Sequence, residues 1–137
     1  MANYIHEHKD KVRDYECDLQ GIVNNANYQH YLEHARHEFL IANGVSFAQL
    51  HNDGIDCVVS GIEMRFKVPL KSMDEYIVRT NVKKVGIRYI FMQDIYRASD
   101  DKLCLKGKVE VVCIINGKLS DTDFFVKKLG LDKGETE

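Results

Sequence analysis

Tyr28, Tyr31, Leu32, Ala35, Phe39 and Ala42 recur at i, i+3, i+4, i+7, i+11 and i+14. That spacing lines one face of an α-helix and suits no strand, so it limits this chain more than any other feature. It predicts a helix from about Asn25 to Ala42. Asn43-Gly44 closes it, Gly44 being suited to the left-handed position after a helix. Asn24 or Asn25 serves as N-cap, its side-chain oxygen accepting from a free N–H of the first turn.

Beyond Ile55 the pattern changes to short apolar alternation. Ile55 to Val68 is rich in Val and Ile and is stopped by Pro69. In 74–85, Tyr76, Val78, Thr80 and Val82 alternate with Ile77, Arg79, Asn81 and Lys83, and Gly86 marks a turn. Arg88 to Arg97 follows, then the polar turn 98–101, then 103–115 with Leu103, Leu105, Val109, Val111, Cys113 and Ile115 on one face. Asn116-Gly117 is a turn signal, and 118–126 extends or flanks the sheet. Before the helix, residues 5–15 form a first strand; after it, 45–54 is a connector with room for a short second helix. A strand, one long helix and an antiparallel meander define an α+β plan in which a curved sheet wraps the helix. The 137 residues form a single domain, 1–137, whose charged end from about 127 to 137 frays.

Net charge is −2 with both signs interspersed, which argues against a nucleic-acid surface. No apolar run reaches the ~18 residues of a membrane span, and the N-terminus lacks the apolar segment of a secretory signal. Cys17, Cys57, Cys104 and Cys113 are widely spaced with no C-x-x-C pair. A soluble, cytoplasmic protein is expected.

Chemistry is expected where the first strand meets the helix. Asp18 and Gly21 suit a turn, Asp by bonding its own backbone and Gly by accepting positive φ. The turn holds a carboxylate near the unsatisfied N–H groups that begin the helix. Such donors polarise a carbonyl oxygen while a carboxylate acts on the carbon or on water.

The string Glu-Cys-Asp-x-x-Gly-Ile-Val-Asn-Asn-Ala-x-Tyr-x-x-Tyr-x-Glu-x-Ala-Arg, Glu16 to Arg36, resembles the hot-dog-fold acyl-CoA thioesterases of the 4-hydroxybenzoyl-CoA and Tol–Pal-associated branch. Val58-Val59-Ser60-Gly61-Ile62, Phe66-Lys67-Val68-Pro69-Leu70 and Asp74 look like that family's second strand and proline-bearing turn. The resemblance implies hydrolysis of an acyl-CoA or acyl-carrier thioester with no cofactor and no metal. It also implies a homodimer or homotetramer with active sites at the subunit interface. Asp18 matches the catalytic carboxylate, as nucleophile or general base, and Asn25 falls where a backbone N–H polarises the thioester. Gly21, Val23 and Tyr28 then border the substrate. Where the Tol–Pal-associated members carry His and the hydroxybenzoyl enzyme Tyr, this chain has Asn25, so a backbone donor survives but an imidazole acid does not. The run Val23 to Ala26 is also similar to plant acyl-carrier-protein thioesterases, whose catalytic His would fall near Ile22 here.

Plainer readings compete. Asp18 alone would be a turn or capping aspartate, and Asp14 and Glu16 read as solvated strand residues. His30, His34 and His37 have metal-compatible spacing but lie opposite the apolar stripe and read as surface, as do His6, His8 and His51. Cys17 lacks a His partner and reads as structural. Glu33 and Arg36 read as a surface ion pair. Ser60 and Gly61 are candidate pocket lining, since Gly inside an apolar strand often marks close approach of a ligand. A non-catalytic acyl-thioester binding or sensor protein of the same fold is the alternative function.

Overall fold

The computed structural model describes residues 4–131. Its elements are β1 (His6–Lys11), a 3-10 turn (Asp14–Glu16), α1 (Asn25–Ala42), α2 (Phe47–Asn52), β2 (Ile55–Phe66), β3 (Glu75–Val85), β4 (Arg88–Arg97), β5 (Lys102–Ile115), β6 (Lys118–Ser120) and α3 (Phe124–Leu129). The strands form one antiparallel sheet in the order β1-β3-β4-β5-β2, with β6 paired to β5.

α1 spans the expected residues. Asn24 is its N-cap, with Oδ1 accepting from the Ala26 N–H at 2.9 Å. Tyr28, Tyr31, Leu32, Ala35 and Phe39 are buried as the stripe predicts, but Ala42 is exposed and Arg36 and Leu40 complete the inner face. That face lies on Tyr76, Val78 and Thr80 of β3, Phe91, Gln93 and Ile95 of β4, and Leu105 and Val109 of β5, all buried. Tyr31 stacks on Tyr76 with ring centroids 4.5 Å apart.

Helix and sheet meet tightly at Gly107. A Cβ there would stand 2.6 Å from the Gln93 carbonyl oxygen and 2.9 Å from Leu32 Cδ1. Glycine is what lets α1 settle onto the centre of the sheet.

The expected first strand, 5–15, is shorter than its sequence suggested. β1 ends at Lys11 because the Glu16 carboxylate accepts the Arg13 N–H at 2.7 Å and bends the chain into the 3-10 turn. Residues 118–126 both extend and flank the sheet. β6 stops at Ser120, and Phe125 turns inward in α3 to meet Tyr89 edge-on, centroids 5.0 Å apart. Of the tail expected to fray, Lys127–Leu129 belong to α3, and 132–137 lie outside the described residues. Among the described residues, no helix is long and apolar enough to cross a membrane.

Gly107→Ala should lower stability by about 1–3 kcal/mol in urea unfolding, because backbone lies on one side of the added methyl. Gly61→Ala should change it by less than about 0.5 kcal/mol, since its nearest neighbour would be Glu110 at 3.8 Å.

Candidate active site

Cys17 and Val23 pair as an antiparallel bridge, and the residues between them form a tight hairpin. The Asp18 N–H donates to the Ile22 carbonyl at 2.9 Å, and the Gly21 N–H to the Asp18 carbonyl at 3.0 Å. Gly21 takes φ +80°, the left-handed conformation the turn requires. Asp18 is exposed, and its Oδ1 accepts the Gln20 N–H at 2.8 Å. Its other oxygen accepts no hydrogen bond from the described residues.

Three fastenings hold this hairpin against α1. The Glu16 carbonyl accepts the Asn24 N–H at 3.0 Å and the Asn27 amide at 2.8 Å, while its carboxylate accepts the Tyr31 hydroxyl at 2.8 Å. Burial, then the Glu16 contact, pushes the Tyr31 phenol far up, so it remains a donor. On the other side, the buried Val23 donates its N–H to Leu70 O at 2.9 Å, and Leu70 returns its N–H to the Tyr28 hydroxyl at 3.0 Å. Glu16 is therefore a half-buried tie and not a solvated strand residue.

The helix start has one unused donor close by. Asn24 Oδ1 takes the Ala26 N–H, Asn24 O takes the Asn27 N–H, and Glu16 O takes the Asn24 N–H. The Asn25 N–H is bonded to none of the described residues, as the first residue of a helix allows. The exposed Asn25 side chain is not needed for that donor.

Other predicted residues fall elsewhere. Phe66 packs on Tyr28, centroids 5.5 Å apart, but Ser60 and Gly61 lie five to six residues back along β2, roughly 17–20 Å away. Gly61 follows a bulge, and the Ser60 hydroxyl donates to Glu110 at 2.6 Å. Within one chain they do not meet Asp18. Burial, and then the charge of Asp18, push the Cys17 thiol up, away from the range of an activated nucleophile.

Sequence reading missed a second feature. Arg36 is not a surface partner of Glu33; it is buried, with Nη1 donating to Gln93 Oε1 at 3.0 Å, and burial lowers its pKa. Gln93 in turn donates to Leu32 O at 3.0 Å. Arg36 stands in the wall of a cleft of ≈ 250 Å³, otherwise lined by groups such as Leu40, Phe47, Val59 and Val111. The position of Arg36 in the Glu16–Arg36 string was the available signal. Cys57, also in that wall, has its Sγ 4.0 Å from Cys113 Sγ.

A curled antiparallel sheet around one long helix, with a carboxylate turn at the helix start, matches a known class. The thioesterase-like superfamily model matches residues 12–128, and the chain belongs to that family. The fold is the hot-dog fold. A solved Aquifex aeolicus protein superposes with TM-score 0.83 at 26% identity, over 90% of this chain and 98% of that one. The probable thioesterase YbaW of Escherichia coli gives 0.79 at 27% identity, over 90% and 95%. The chain is 33% identical over 113 residues to the acyl-acyl carrier protein thioesterase ATL2 of Arabidopsis thaliana, covering 82% of this chain and 60% of the relative. It thus spans less than two thirds of that protein. The Haemophilus influenzae acyl-CoA thioesterase YbgC is 30% identical, with 80% of each chain covered.

Tyr28→Phe leaves the Leu70 N–H buried without its acceptor and should cost about 1–3 kcal/mol in denaturant unfolding. A change near zero would mean the hairpin is held without that bond.

Proposed function

We propose that this protein hydrolyses acyl thioesters carried on coenzyme A or on an acyl carrier protein, at a site built on Asp18 and the start of α1. The observation that carries the reading is the unused Asn25 N–H beside a hairpin whose exposed carboxylate keeps one oxygen unbonded. The thioester oxygen accepts from that N–H. An Asp18 oxygen then either attacks the carbonyl carbon, giving a mixed anhydride that water opens, or takes a proton from an attacking water. As the tetrahedral adduct collapses, the C–S bond breaks and the thiolate leaves. One preorganised oxyanion donor contributes about 3 kcal/mol, and the route needs neither metal nor cofactor.

The acyl group is assigned to the cleft beside Arg36. From Asn25 to Leu40 the helix rises about 22 Å, so one chain keeps its carboxylate and its cleft at opposite ends of α1. A homodimer joins them. β2 ends the sheet and is a twelve-residue strand with Val58, Val59, Ile62 and Phe66 exposed. Such an edge calls for a partner. Antiparallel pairing of two β2 strands about a two-fold axis reverses the second helix and carries the partner's Asp18 towards this cleft. Ser60 and Gly61, midway along β2, then lie near the axis. The same reading takes residues 1–137 as one domain acting in the cytoplasm.

The second reading is a non-catalytic acyl-thioester sensor. The Asp18–Gln20 hydrogen bond favours it, because a plain turn aspartate makes the same contact.

The test is thiol release from short, long and aromatic acyl-CoA and acyl-carrier substrates, comparing wild type with Asp18→Asn. Asn keeps the acceptor for Gln20, so the turn stays. Loss of roughly 10²–10⁴-fold in kcat is expected. Equal rates in both proteins would remove Asp18 from catalysis, and tight acyl-CoA binding without turnover by either would establish the sensor.

A further inference from the structure

The face that β1 turns towards α1 should be apolar in a half-buried strand, yet it reads His6, His8, Asp10. His6 and His8, expected at the surface, are half-buried. His8 Nε2 is buried and makes no hydrogen bond, and its nearest charged neighbour is Asp10 Oδ2 at 3.8 Å. Across the groove stands His34 of α1, its ring edge-on to His8 with centroids 4.9 Å apart. Among the described residues, one nitrogen of His8, one of His34 and one carboxylate oxygen of Asp10 lie within 4.8 Å of one another. His34 thus finds its partners on a strand far away in sequence, and not in His30 or His37 on its own helix.

We propose that His8, Asp10 and His34 form a binding site for a divalent transition-metal ion of the zinc class. Two imidazoles and a carboxylate from two elements are a common ligand set for such ions. The Asp10 carboxylate is already oriented. Its Oδ1 accepts the Lys11 N–H at 2.8 Å and faces Arg13 at 3.4 Å, which leaves Oδ2 on the side of His8. Supporting bonds of that kind are what hold metal ligands in place. Bonds of 2.0–2.2 Å in tetrahedral geometry put donors roughly 3.3 Å apart. Closing from the present spacing requires His34, whose side chain is half exposed, to swing inward. Glu38 lies 3.8 Å from His34 Nε2 but outside the cluster of His8, Asp10 and His34, so a water would complete a four-coordinate ion. His6 is outside the set because its ring stacks on Phe39 at 5.1 Å. The bound ion would staple β1, which among the described residues lies at the sheet's edge beside β3, onto α1.

The test is calorimetric titration of tag-free, metal-stripped, full-length protein with zinc chloride, repeated with cobalt(II) followed by absorption. Expected are one ion per chain, a higher melting temperature with zinc, and tetrahedral cobalt bands without thiolate charge transfer. His34→Gln, at a half-exposed helix position where loss of the fold is not expected, should weaken binding by more than roughly tenfold; His8→Gln should do the same, and His30→Gln should not. Absence of stoichiometric binding overturns the proposal. So does affinity unchanged in His34→Gln, or a thiolate charge-transfer band, which would assign the ion to cysteine.

Discussion

The close seating of α1 on the sheet at Gly107 is the constraint on which the rest of this structure depends. With no side chain at that position, Leu32 reaches the strand backbone and the Gln93 amide reaches the Leu32 carbonyl. The same approach buries Arg36 against Gln93 and Tyr31 against Tyr76. A charge is thereby placed in an interface that is otherwise aliphatic and aromatic, where it is hydrogen-bonded but strongly desolvated. Arg36 consequently forms part of the wall of the cleft at one end of the helix, while the other end is left to the Asp18 hairpin.

At that other end, local turn chemistry and long-range ties act together. Gly21 and the Asp18 carboxylate set the shape of the hairpin, but its position is set by Glu16, Tyr31, Tyr28 and Leu70. Asn24 takes the Ala26 and Asn27 N–H groups and Glu16 takes that of Asn24, which leaves the Asn25 N–H unspent. An unspent donor next to a carboxylate gives the reading of thioester hydrolysis its physical basis. The family match gives it a reason to be preferred over a turn aspartate.

Much of this was legible in the residues. Helical spacing placed α1 from Asn25 to Ala42, and period-two alternation found the buried face of β3, because both patterns are local. The resemblance carried by Glu16 to Arg36 named the family that the comparisons show. What sequence obscured was decided by contacts between distant residues. Residues 5–15 look like one strand until Glu16 caps Arg13. Whether 118–126 extends or flanks the sheet is decided only when Phe125 meets Tyr89. Arg36 reads as a surface cation, three residues from Glu33, until Gln93 arrives from β4. His34 is exposed as its spacing suggested, but nothing local in the sequence shows that His8 meets it edge-on across the groove.

The central claim is a site shared between two chains, with Asp18 from one and the cleft from the other. Subunit complementation tests it most directly. Asp18→Asn removes the carboxylate, and His37→Trp, at the exposed mouth of the cleft, obstructs the acyl group. Each variant alone should be nearly inactive. Randomly mixed dimers should regain roughly a quarter of wild-type thiol release, because half are mixed and each mixed dimer rebuilds one intact site. A mixture as inactive as its parents, with mixed dimers present, would contradict the account.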